Sequence, residues 1–93
     1  MAVIYAPHLK HRLKERKFPQ NYPLEIYNTA RIRYYDTLSK SFIAIKMMNY
    51  GGRRRKIAIA YIFVDSDVII KTVHPESDKE IKNRVSRGRW IKI

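Results

Sequence analysis

His8, Arg12 and Arg16 recur at four-residue intervals near the start of the chain. On a helix that spacing makes one polar row, about 100° around from the apolar pair Leu9 and Leu13. A row so placed flanks the buried face and lies along the groove between a helix and a sheet. One imidazole and two guanidiniums there suit either an active site or a phosphate clamp, and they equally describe a solvated basic helix edge. His74 is the second imidazole able to take and give protons near neutral pH. Strict alternation along its strand puts it on the face of Val68, Ile70 and Thr72. His8 and Arg12 are therefore expected to face the same space as Thr72 and His74, with a satisfied strand-end histidine beside Pro75 as the plainer alternative for His74.

Two further clusters suit phosphate chemistry. Gly51-Gly52-Arg53-Arg54-Arg55-Lys56 sets four cations behind a glycine pair. Such a tip either protects a strand edge from aggregation or reaches along a nucleic-acid backbone, and four charges with no acid nearby exceed what edge protection needs. The last block interleaves Arg84, Arg87 and Arg89 with Trp90. Arginine and tryptophan stack on unpaired bases, although Trp90 would serve equally as a core plug sealing the C-terminus. No metal or cofactor is expected. The chain has no cysteine, His8 and His11 offer only a pair of ligands three residues apart, and there is no glycine-rich phosphate loop or Gly-x-Ser-x-Gly elbow.

The charge has a distribution that only a fold can use. The 93 residues carry a net +12 with a sequence pI near 10.2. Residues 1–20 contribute +4, 21–40 contribute +1, 41–60 contribute +5, 61–80 contribute −3 and 81–93 contribute +5. Such a balance draws phosphate backbones and repels copies of itself. Hydrophobic residues make up 45% of the chain, which suits one folded domain over residues 1–93 and is too many for a disordered protein. No apolar run approaches the roughly 20 residues that cross a bilayer, and the opening residues lack the pattern of a signal peptide, so no membrane association and a cytoplasmic location are expected.

The elements that must position these groups follow from period and punctuation. Pro7 to Lys17 reads as a helix ended by Phe18-Pro19, and Asn21 can cap a short second helix, Tyr22 to Asn28, in which Leu24 and Tyr27 share a face. The period then becomes two. Strands are expected over 30–35, 41–49, 53–64 and 67–74, with the third apolar on both faces and therefore central. Gly51-Gly52 suits a tight hairpin. Ser77 and Glu80 form a capping box that opens a helix over Ile81 and Val85, and Gly88 is placed to stop it. The alternating tail from Arg89 to Ile93 can add a short edge strand. The expected class is α+β: two N-terminal helices, a four-stranded antiparallel meander sheet and a C-terminal helix.

The run from His8 to Pro19 resembles the opening of a widespread family of small domains of unknown function. In that family a His-x-x-x-Arg-x-x-x-Arg helix precedes a second short helix, and the sheet ends in a strand similar to Ile69-Ile70-Lys71-Thr72-Val73. The family is similar to the RelE/ParE and BrnT toxins, and more broadly to the barnase–colicin–RelE class of metal-independent ribonucleases. The resemblance covers about residues 6–75, implies a RelE-like fold, and marks His8, Arg12, Arg16 and Thr72. The basic extension from Ser77 to Ile93 lies beyond the shared motif, and the opening typical of BrnT is absent.

The resemblance implies an RNA-binding, toxin-like endoribonuclease of the mRNA interferase type, restrained by an acidic antitoxin. In such an enzyme His8 would act as base or acid, Arg12 and Arg16 would clamp the phosphate, and His74 would be the second proton-transfer group. The rival is a nucleic-acid-binding regulator or degenerate toxin that uses the same basic faces without chemistry. A third reading is an adaptor whose charge serves an acidic protein.

Overall fold

The structure, a computed structural model, describes residues 1–93. Along the chain come β1 (Val3–Tyr5), α1 (Leu9–Glu15), α2 (Tyr22–Thr29), β2 (Ile32–Asp36), β3 (Ser41–Tyr50), β4 (Arg53–Val64), β5 (Asp67–Pro75), α3 (Asp78–Ser86) and β6 (Trp90–Lys92). The strands form one six-stranded sheet in the order β1-β5-β4-β3-β2-β6. The class is α+β, but the expected four-stranded antiparallel meander is corrected. The sheet is mixed, because β1 runs parallel to β5 while every other neighbour is antiparallel.

Both added strands are held by pairing across the chain. The β1 segment is tied to β5 through Ala6 N–H to the Ile70 carbonyl at 2.9 Å, Val68 N–H to the Ala2 carbonyl at 2.8 Å, and Ala2 N–H to the Asp67 carboxylate at 3.0 Å. On the opposite edge, Thr37 N–H donates to the Arg89 carbonyl at 2.8 Å and Ile93 N–H to the Arg33 carbonyl at 3.2 Å.

Two apolar layers sandwich the sheet. Leu9, Leu13 and Ile26 from α1 and α2 bury against Ile57, Ile59 and Ile70, all with essentially no solvent exposure. Each such side chain contributes about 1.5–3 kcal/mol of transfer free energy. In α2 the buried residues are Pro23 and Ile26, not the Leu24 and Tyr27 face expected from spacing, and Leu24 is exposed. The second layer is smaller. Ile43, Ile45 and Ala58 meet Ile81 of α3 and Trp90. No helix is long and apolar enough to cross a membrane.

Local chemistry sets the boundaries. Gly51 and Gly52 have φ of +62° and +78°, the left-handed pair that closes a two-residue hairpin between Tyr50 and Arg53. The capping box forms in full, with Glu80 N–H on Ser77 Oγ and Ser77 N–H on Glu80 Oε1, each at 3.1 Å. It fixes the start of α3, and with it the direction in which Arg84 projects.

Candidate active site and nucleic-acid interface

Strand β5 changes face halfway along. Tyr61 pairs with Ile70, but Ala60 pairs with Thr72, so Lys71 is the extra residue of a β-bulge. Before the bulge, Val68 and Ile70 point into the α1/α2 layer; after it, Val73 does. Thr72 and His74, opposite Ala60 and Ala58, therefore face α3. This corrects the expectation that His74 and Thr72 share a face with Val68 and Ile70.

The correction divides the expected site in two. Helix α1 packs on the other side of the sheet, so the six-stranded layer stands between His8 and Arg12 and the pair Thr72 and His74. The expected two-histidine arrangement is not formed. His8 is exposed just before α1 and Arg12 is exposed without a side-chain hydrogen bond. Arg16 donates from Nη1 to the Val73 carbonyl at 3.0 Å, which braces β5 beyond the end of β1. The largest open hollow, about 640 Å³, lies outside α1 among Lys10, Lys14, Lys17 and Phe18. No carboxylate lines it, and the His11–Glu15 pair beside it, at 3.3 Å, is an exposed pair one helical turn apart. We place no chemistry there.

On the α3 face, the small side chain of Ala60 and the bulge leave a cleft of about 230 Å³, lined among others by Lys71, Thr72, His74, Glu76, Arg84 and Arg89. His74 Nε2 lies 2.6 Å from Glu76 Oε1. Glu76 has a fully buried side chain, and the same oxygen also accepts from Arg84 Nη1. Its other oxygen is buried with no hydrogen-bond partner. With Nε2–H directed at the carboxylate, Nδ1 is the ring nitrogen left free to act as a base. The guanidinium of Arg84 also sits 4.8 Å over the Trp90 ring, which fixes the arginine from a second side.

A second carboxylate organises the other wall. Asp36 is buried and accepts from Arg89 (Nη2 at 3.1 Å), from Trp90 Nε1–H at 3.1 Å, and from the backbone N–H of Leu38 and Ser39 at 2.9 and 3.1 Å. Burial alone would raise its pKa. Donation from Arg89, Ser39, Trp90 and Leu38 outweighs that and holds the carboxyl well below the usual range. Of the two readings of Trp90, the structure has the core plug: the ring is buried and hydrogen-bonded and is not free to stack on bases. Lys71 Nζ donates to Ser41 Oγ at 3.2 Å across the cleft floor.

The basic clusters border this cleft. Arg84, Arg87 and Arg89 line an adjoining hollow of about 270 Å³ at the end of α3. On the other side, Glu76 N–H donates to the Lys56 carbonyl at 2.9 Å, which joins the cleft to the β3–β4 hairpin. There Lys56 pairs with Asp78, Arg55 lies 5.8 Å over Tyr50, Arg54 bonds Asn49 and the Met47 carbonyl at 3.3 Å, and Arg53 is free at the tip. Glu76, Lys71, Asp36 and the bulge are the parts that reading along the chain missed. Comparison with protein-family models, with curated proteins and with solved structures gives no match for this chain.

Proposed function

We propose that the protein binds single-stranded RNA across its α3 face and cleaves it there without a metal ion, in the manner of a toxin-type endoribonuclease. The observation that carries this is the His74–Glu76 pair at 2.6 Å, in a cleft that also holds Lys71, Arg84 and Arg89. His74 Nδ1 removes the proton from a ribose 2′-OH, and the freed oxygen attacks the adjacent phosphorus. The bond to the 5′-oxygen breaks, leaving a 2′,3′-cyclic phosphate, and the departing oxygen takes a proton from the imidazolium, from the Lys71 ammonium or from water. Glu76 orients the ring and meets the charge on the imidazolium, while Arg84 holds Glu76. Lys71 and the outer arginines stand where phosphoryl oxygens gain charge. An acidic partner protein covering the same basic face is the restraint that such an activity requires.

One observation favours the non-catalytic rival. Arg84 and Arg89 are already engaged by Glu76 and Asp36, so fewer cations are free beside His74 than the composition promises. Incubating the protein with single-stranded RNA in EDTA decides between them. We expect cleavage to 2′,3′-cyclic ends, a loss of about 10² to 10⁴ in rate for His74→Ala with binding largely kept, and little change for His8→Ala on the far face. Salt-dependent binding without cleavage would install the binding module instead. Loss of cleavage in EDTA would show a metal enzyme.

A further inference from the structure

The α1/α2 face is not covered to its edge. Helix α2 packs over β3 and β4, and its Tyr27 meets Tyr61 edge-on at 5.0 Å and 85°. Beyond that pair an aromatic row crosses the bare end of the sheet. Tyr35 is paired with Phe42 and Phe42 with Tyr61, so all project from the same face, with Phe63 two residues further on. Phe42 and Tyr61 lie near parallel, at 22° and 5.6 Å. Tyr35 and Phe63 cross Phe42 at 67° and 75°, with centroids 5.2 and 5.3 Å away. Phe42 thus forms a floor between two ring walls. Phe63 is 51% exposed and Ile91, opposite Tyr35 on β6, is 52% exposed.

We infer that this aromatic row is a stacking platform for the unpaired bases of a single-stranded nucleic acid. The inference rests on the RNA reading above and adds a second contact for the strand, on the face of the sheet opposite the α3 cleft. Every base has an apolar face to lay on a ring, so stacking is tolerant of sequence, whereas a duplex hides those faces. Charge selects this occupant over a second copy of the chain, which would bring +12 against +12. Lys40, exposed without a side-chain partner, stands two residues before Phe42 at the start of β3, while Asp65 follows Phe63 in the β4–β5 turn. Arg33 is not available to phosphate. Its guanidinium lies 5.3 Å over Tyr27 and 5.8 Å over Tyr61 and donates to Tyr61 Oη at 3.0 Å, and so it pins the inner rings in place. The stacking rings expected of a single-strand binder are thus present, on the face opposite Trp90.

The test is fluorescence anisotropy with a labelled 2′-O-methyl RNA strand of about eight nucleotides, which cannot be cleaved through its 2′-oxygen, beside a duplex of equal length. Phe63→Ala should weaken binding of the single strand about five- to hundredfold, with the salt slope and the duplex affinity unchanged, because one ring and no charge is removed. Phe63→Leu keeps the apolar burial and should show the same loss, and Phe63→Trp should restore affinity. Wild-type binding with a salt slope, but unchanged affinity in both Phe63→Ala and Phe63→Leu, overturns the platform and leaves the polyanion reading standing. No affinity of the wild type at any salt overturns both. Loss of a sedimenting dimer in Phe63→Ala, in place of weaker RNA binding, shows the face to be a self-interface and overturns the platform as well.

Discussion

Asp36→Asn removes one charge while keeping side-chain volume, and its cost can be worked from the hydrogen bonds. In the wild type, Oδ1 accepts from the Leu38 and Ser39 backbone and from Arg89 Nε, and Oδ2 accepts from Trp90 Nε1 and from Arg89 Nε and Nη2. The amide keeps one oxygen for the two backbone donors and Arg89 Nε but turns an NH₂ toward Trp90 Nε1 and Arg89 Nη2, so donors face donors there. The buried Trp90 N–H left without an acceptor costs about 1–3 kcal/mol. Arg89 is 40% exposed on its side chain, so solvent screening limits its share to less than about 1 kcal/mol. A total near 3 kcal/mol corresponds to a melting temperature lower by about 12–24 °C in a domain of this size. The pH dependence has a definite sign. The folded carboxyl titrates below its ordinary value, so its contribution is complete above about pH 4 and is lost as the pH falls further. Wild-type melting should drop between about pH 4 and pH 2, and the variant, lacking this group, should show a shallower acid limb. Far-UV circular dichroism and the fluorescence of the single tryptophan, Trp90, report both. Melting of Asp36→Asn within about 2 °C of wild type, with a parallel acid limb, would refute the assignment.

Two further outcomes follow from the interface. Ser77→Ala removes the half of the capping box that Ser77 Oγ accepts from Glu80 N–H, leaves the backbone N–H of residue 77 on Glu80 Oε1, and should cost about 1 kcal/mol in thermal or urea unfolding. It should also lower RNA cleavage more than RNA binding, because α3 carries the Arg84 that holds Glu76. Replacing Arg53, Arg54 and Arg55 with Ser should flatten the dependence of log K on log salt by about 0.7 for each phosphate no longer neutralised. Melting temperature should hold, since Gly51-Gly52 and the β3–β4 ladder, not these side chains, make the hairpin.

The parts of the fold legible along the chain are those whose causes are local. The Ser77–Glu80 box, the left-handed Gly51-Gly52 pair and the Gly88 stop each depend on residues within four of one another, and each appears where expected. Val3-Ile4-Tyr5 is different. Three residues carry no readable period, and what makes them a strand is a parallel ladder to Val68–Ile70, far along the chain. The phase of α2 failed for a similar reason. Leu24 and Tyr27 are as well spaced as Pro23 and Ile26, and only the placement of β3 and β4 beneath the helix selects the second pair.

The site was hidden by a single residue. In Ile69-Ile70-Lys71-Thr72-Val73-His74, strict alternation is a consistent reading, and nothing within the segment says that Lys71 is extra. Because the side-chain period is two, one inserted residue sends everything after it to the other face. Thr72 and His74 are thereby carried from the layer that holds α1 to the layer that holds α3. The four-residue spacing of His8, Arg12 and Arg16 fixes a phase on one helix and says nothing about which face of a sheet another element presents. Glu76 was hidden differently. It sits in the acid-rich stretch between Pro75 and Asp78, where a carboxylate reads as solvated charge. It becomes buried because β5 delivers His74 two residues before it and α3 returns Arg84 eight residues after it, both to Oε1. A buried carboxylate needs such partners to remain charged. The cation that stabilises Glu76 is thus supplied by the basic C-terminal segment, so that segment builds the site as well as charging the surface around it.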